Sequence, residues 1–204
     1  MVDKPAGVLS VPGKGPENQD CAAARVRAMF PASTGPLIVH RLDQETSGLM
    51  VLALNAEAHR ALSGQFEART VAKRYEAVLV GDVVAAAGAR EGTVTLRQRV
   101  DLDNRPRQIL DDVHGKEAVT RWRAIEIADG RTRIEFEPAT GRSHQLRVAS
   151  ATPVERGGLG CPIAGDSLYG DPSTAARMLL HATALSFDDP ESGQRVRVES
   201  IAPF

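Results

Sequence analysis

HRLDQETSGLMVLAL, residues 40–54, sets a polar turn directly against an apolar run from Gly48 to Leu54. A short run of that kind, bounded by turn residues, reads as a strand buried on both faces. Asn55 follows it as the cap of a helix reaching about Ala68, with Ala58, Leu62 and Phe66 spaced along one face. On the other side, Leu37 to Val39 is a short extended lead into His40. Working outward, Lys73 to Val80 reads as a strand closed by Gly81-Asp82, followed by an Ala/Gly-rich loop. Further strands are expected at Thr93 to Val100, Ala118 to Ile127 and Arg131 to Glu137, the last two joined by an Asp129-Gly130 hairpin turn. Asp103 to Pro106 is an exposed turn between them. Asp20 can cap a helix from Cys21 to Phe30, which Pro31 ends, and Thr140-Gly141 can start one from Arg142 to Ser150. His181 to Phe187 and Arg195 to Ser200 form a closing hairpin. Strands dominate without βαβ alternation, so the fold class is α+β, with a mostly antiparallel or mixed central sheet flanked by helices and loops.

The chain has 204 residues, enough for one large domain or two sub-domains sharing a sheet. Its 42% hydrophobic and 25% charged residues are those of a globular protein with a real core. No apolar run is long enough to cross a bilayer and no signal-peptide core precedes the first strand, so the cytoplasm is the expected compartment. Cys21 and Cys161 stand alone, which excludes a disulfide framework and a CxxC site, and the five histidines lack metal-ligand spacing. No metal is implied. A net charge of −1 does not announce a nucleic-acid partner, but Arg41, Arg74, Arg105, Arg107, Arg142 and Arg147 recur around the polar segments.

Asp43 leaves a short strand two residues after Arg41 and just before Thr46-Ser47-Gly48. A carboxylate there can be a nucleophile, a general base or a metal ligand; its local sequence favours a turn cap instead. GRSHQLR at 141–147 places Arg142 and His144 at a helix start and Arg147 a turn later. Cations oppose the dipole at a helix N-terminus, which points to an anionic partner, either phosphate or a carboxylate such as Asp43. Tyr75, beside Lys73 and Arg74, is either a core residue or one that stacks a base or moves a proton.

Together these segments resemble the RluA family of RNA pseudouridine synthases. KPAGVLSVPG at 4–13, HRLDQETSGL at 40–49, KRYEAVLVG at 73–81, GRSHQLRV at 141–148, PIAGDSLYG at 162–170 and LLHATALSF at 179–187 occur in family order. DNRPRQ at 103–108 and LSVPG look most like the RluA branch, which modifies a tRNA anticodon stem-loop and large-subunit ribosomal RNA. The resemblance implies a pseudouridine synthase fold, with Asp43 as catalytic nucleophile, Tyr75 as active-site tyrosine and Arg147 as the arginine paired with the aspartate. It makes Arg41 the residue entering the RNA where the base leaves and Leu180 an apolar neighbour of the flipped uracil. Arg105 and Arg107 fall in a loop like the family's RNA-gripping finger. His40, Lys73, Arg74, Arg142, His144 and Gln145 join the expected RNA contacts. It implies no metal and no organic cofactor, RNA as partner, and a monomer is expected.

The chain opens almost directly at KPAG, where relatives carry a further strand or an RNA-binding domain. The expected organisation is therefore one catalytic domain over 1–204, with a shortened N-terminal edge. Ala149 to Gly160 is longer than in relatives, with Ala149 where a histidine follows LRV, and Cys161 stands where GHP is common. Two other classes fit less well. A glycosidase-like hydrolase needs a facing second carboxylate, for which only Glu45 is near in sequence. A non-catalytic RNA-binding protein of this fold would be favoured by replacement of Asp43 or Arg147, and both are present.

Overall fold

The computed structural model describes residues 1–204. The chain divides into two compact units, residues 1–73 with 181–203, and residues 74–180 with 204.

In the first unit β1 (Val2–Lys4) pairs antiparallel with β2 (Ser47–Met50), which runs parallel to β8 (Leu180–Asp188); β9 (Arg195–Glu199) closes the edge antiparallel to β8. The buried run of residues 47–53 is thus the centre of a mixed sheet, although only its first four residues form ladder. Gly48 has φ of +112°, and a Cβ there would sit 2.5 Å from the Ala182 backbone nitrogen and oxygen. Only glycine lets β2 approach β8 so closely. Leu49, Val51 and Ala53 alternate onto one face and pack with Leu62, Val71, Leu185 and Phe187. Leu62 comes from α2 (Ala56–Glu67), whose cap is Asn55, accepting from the Ala58 amide at 2.8 Å as its sequence foretells.

α1 (Ala22–Met29) starts one residue later than expected, so its cap is Cys21, whose sulfur accepts from the Ala24 amide. Asp20 lies outside the helix and pairs with Arg25 on the surface.

The second unit is an antiparallel sheet in the order β3 (Ala72–Val80), β7 (Arg131–Pro138), β6 (Lys116–Ala128), β4 (Glu91–Val100) and β5 (Gln108–Leu110). Asp129 and Gly130, with φ of 53° and 69°, make the β6–β7 turn. Both central residues of a type I′ hairpin need that left-handed backbone. β5 is too short to show periodicity and exists through its pairing with Gln98 to Val100. The Ala/Gly-rich stretch is not loop throughout: it forms α3 (Val83–Ala87), capped by Asp82 through the Val84 and Ala85 amides and ended by left-handed Gly88. Ala77, Leu79, Ile134, Phe136 and Trp122 form the core, with Leu146 and Val148 of α4 (Gln145–Ala151) packed into it. α4 begins three residues later than expected. Left-handed His144, φ 55°, stands at its start, and Gln145 Oε1 ties the Thr140 hydroxyl and the Arg142 amide into a preceding loop.

Candidate active site

Asp43 is half-buried on the turn entering β2, and its carbonyl accepts from the Thr46 amide at 3.1 Å. Both of its neighbours are clamped. The buried Ser10 hydroxyl donates to the Leu42 carbonyl at 2.6 Å and accepts from the Leu42 amide at 3.1 Å. The Lys4 ammonium, 1% exposed, donates to the carbonyls of Gln44 (3.0 Å), Val8 (2.7 Å) and Pro5 (3.0 Å). Gly7 N–H adds a second donor to the Gln44 carbonyl at 2.9 Å. Burial lowers the Lys4 pKa to about 8, against the opposing pull of the Glu45 and Asp43 carboxylates. Asp43 therefore stands between two fixed peptide units, within the field of a buried cation.

The same unit holds His40, Arg41 and Lys73. His40 Nε2 accepts from the Val51 amide at 3.0 Å, and its ring stacks on Phe66 at 4.6 Å. Burial, assisted by the Lys73 charge, lowers its pKa to about 4, which keeps Nε2 an acceptor at neutral pH. Arg41 is exposed beside it. Burial, then Arg69, lowers Lys73 to about 8. Behind the Asp43 turn, Ser47 Oγ lies 2.8 Å from His181 Nδ1, and His181 Nε2 lies 3.0 Å from Ser200 Oγ, which in turn donates to Asp3.

In the second unit Tyr75 is half-buried on β3, opposite Phe136 and against the core. Arg74 pairs with Glu135 at 3.2 Å and Glu137 at 3.4 Å. Leu180 is 3% exposed within the core cluster. Arg147 lies inside α4 and meets Asp166 in a fork of two bonds, Nε to Oδ2 at 2.8 Å and Nη2 to Oδ1 at 2.7 Å. Burial pushes the Asp166 carboxyl up, but Arg147 and the Leu168 and Tyr169 amides outweigh it, leaving the pKa below the ordinary carboxylate value.

Two loops flank that pair. Gln145 is buried and bonds Val119 and Thr120 through Nε2, while Arg142 Nε reaches the Glu117 carbonyl at 2.9 Å. These side chains fasten the 140–145 loop to β6. Arg105 and Arg107 are exposed on the 101–107 loop, which closes on itself through Asp101 N–H to Arg107 and Arg107 N–H to Asn104. Arg107 lies over the Tyr169 ring, 5.3 Å from its centroid. No group of three or more His, Cys, Asp or Glu is placed to hold a metal ion, and no helix is long and apolar enough to cross a membrane.

Asp166, Tyr169, Ser10 and Lys4 had no role assigned from sequence. Their signal lay in the motifs PIAGDSLYG and KPAGVLSVPG, whose partners are distant in sequence.

One unit carries a braced aspartate turn and the other a buried arginine–aspartate fork, and comparison with known proteins supplies the class. The family model of RNA pseudouridylate synthase matches residues 1–152, and the chain belongs to that family, whose members isomerise uridine to pseudouridine. Among curated relatives, the dual-specificity RNA pseudouridine synthase RluA of Yersinia pestis is 40% identical over 208 residues, taking in 100% of this chain and 95% of that protein. RluA of Escherichia coli strain K12 is 39% identical, covering 100% of this chain and 89% of that protein. The solved structure of human RNA pseudouridylate synthase domain containing 1 superposes with a TM-score of 0.76 at 28% identity, over 100% of this chain and 79% of that one. Human RNA pseudouridylate synthase domain containing 4, at 22% identity, shares the fold with a TM-score of 0.72, over 98% and 84% of the two chains.

Proposed function

We propose that this chain isomerises specific uridines in structured RNA, in a tRNA anticodon stem-loop and in 23S ribosomal RNA, with Asp43 as the nucleophile. The observation that carries this reading is the double clamp on the Asp43 turn: Leu42 is held by Ser10 and Gln44 by Lys4, so the backbone that bears the carboxylate is held in place. Identity of about two-fifths across the whole chain to dual-specificity RluA proteins supports the two-substrate target.

The reaction breaks the bond from uracil N1 to ribose C1′ and forms one from C5 to C1′. C5 loses a proton and N1 gains one, with no change of oxidation state. Asp43 engages the nucleoside covalently or at its sugar while the base turns. Arg147, held by Asp166, is the cationic residue of the reaction, and Tyr75 takes the C5 proton. Arg41 fills the space left by the flipped base, against which Leu180 packs; flipping costs roughly a few kcal/mol. Arg105, Arg107 and Arg142 supply phosphate contacts, and Lys73, Arg74, His40, His144 and Gln145 are the remaining proposed RNA contacts. The chain acts as a single catalytic domain over 1–204, as a monomer in the cytoplasm, without metal or organic cofactor.

Carbodiimide mapping of pseudouridine in cellular RNA, with the gene, without it and with Asp43→Ala, tests the proposal. The expected result is loss of the same sites in the last two while the purified variant still folds and binds RNA. Sites persisting in Asp43→Ala would overturn the nucleophile. Release of free uracil by the wild type would instead indicate a hydrolase.

A further inference from the structure

We propose that Tyr169 is a positioning residue of the RNA site, tying the arginine loop at 101–107 to His144 and to the Arg147–Asp166 pair. This deepens the functional reading above and rests on its assignment of that loop to RNA.

Tyr169 lies half-buried after the GDSLYG turn, and its own amide donates to Asp166 Oδ1 at 3.1 Å, the oxygen that also receives Arg147 Nη2. Its hydroxyl oxygen accepts from the Gln108 amide at 2.6 Å and lies 2.8 Å from His144 Nδ1. Gln108 opens β5, one residue beyond Arg107, so this bond pins the base of the exposed loop. The ring does the rest: the Arg107 guanidinium carbon is 5.3 Å from its centroid and that of Arg147 is 5.2 Å away. Both distances fall within cation–π range.

One of the two hydrogen-bond directions at the hydroxyl is fixed by chemistry. A backbone amide can only donate, so the phenol oxygen is the acceptor from Gln108. The phenol hydrogen is left to donate, and His144 Nδ1 lies within reach as an acceptor. In the proposed arrangement Tyr169 donates to Nδ1 of a neutral imidazole, which places the ring proton on Nε2 and makes His144 a donor at that atom. Burial raises the phenol pKa, so the hydrogen stays on at working pH. His144 itself is held in the left-handed region at φ 55°. Tyr169 thus holds His144 through its hydroxyl, seats an RNA-facing arginine on its ring and, through its backbone amide, braces the carboxylate that grips another arginine. A loop ordered in advance spends less of its phosphate-contact energy on ordering itself when RNA arrives.

The test uses the full chain, Tyr169→Phe, and a synthetic anticodon-arm RNA hairpin. The phenylalanine keeps the ring and removes the hydroxyl. Binding should weaken on the order of tenfold, as one orphaned amide and a freed loop imply. KM should rise with it, while kcat changes far less, because the Arg147–Asp166 fork persists. Ring nitrogen shifts of His144 in the wild type should show the Nε2–H tautomer; an Nδ1–H tautomer there would overturn the proposal without any variant. Arg107→Ala separates the two readings. If it weakens binding and Tyr169→Phe does not, the proposal fails and the loop's role stands; if neither weakens binding, both fail. The two changes combined should weaken binding by less than the product of their separate effects, and strictly multiplicative losses would also count against the proposal.

Discussion

Arg147 and Asp166 meet inside the protein through two parallel hydrogen bonds, with 4% and 0% of their side chains exposed. A buried pair of this kind is costly to break, because either partner left alone is an unpaired charge in a poor solvent. Asp166→Ala should therefore lower stability by about 3–5 kcal/mol, read from urea unfolding. The double variant Arg147→Met/Asp166→Leu should recover only part of that loss. It removes both charges but still orphans the Leu168 and Tyr169 amides that Asp166 receives. If Arg147 serves catalysis as proposed, the double variant should fold and yet form no pseudouridine.

Tyr75 sits on β3 opposite Phe136, at the margin of the second unit's core. Tyr75→Phe keeps that packing and removes only the hydroxyl. Unfolding midpoints should move little, by about 1 kcal/mol or less. The rate of pseudouridine formation should fall by roughly 10²–10⁴, the contribution expected of a positioned proton acceptor. A rate equal to wild type would take the C5 proton away from Tyr75.

Elements with a strong local signal were legible in the sequence. Asn55 capping α2, the buried run after Gly48 and the Asp129-Gly130 hairpin each follow from a few adjacent residues. α3 was missed although Asp82 and Gly88 punctuate it, because five residues show no helical period. The late start of α4 was invisible for another reason: it depends on Gln145 reaching Val119 and Thr120, across more than twenty residues. Asp43 reads locally as a turn cap, and the family resemblance is what singles out both it and Arg147. Asp166 and Ser10 were not singled out, since an aspartate in a Gly-Asp turn or a serine in a Pro/Gly segment looks like a cap until its distant partner is known.

His40 should make stability depend on pH. Its Nε2 accepts the Val51 amide, so protonation both charges a buried ring and breaks that bond. The folded pKa of about 4 lies below the ordinary value of 6.5, so the unfolded chain binds more protons between the two. The contribution is full above pH 6.5 and is lost as pH falls toward 4, for a total of up to roughly 3 kcal/mol. Denaturation in the wild type and His40→Gln, repeated across that window, checks it. The variant should show a shallower fall, and parallel curves would assign the acid sensitivity elsewhere.

Ser10 offers the cleanest way to loosen the Asp43 turn without touching Asp43. Its hydroxyl serves both polar groups of the buried Leu42 peptide, donating to the carbonyl and accepting from the amide. In Ser10→Ala those groups lose a shared partner, at a cost of about 1–3 kcal/mol. Lys4 still holds the Gln44 carbonyl on the other side, so the turn should persist but wander. If the clamp exists to fix the carboxylate, kcat should fall on the order of 10–100-fold, as small misplacements of a reacting group do, with RNA affinity close to wild type. Ser10→Thr retains the hydroxyl and should restore most of the rate wherever the added methyl group fits. A stability loss with kcat unchanged would mean that Ser10 merely fastens the chain, and that Asp43 is held by the remaining bonds of the turn.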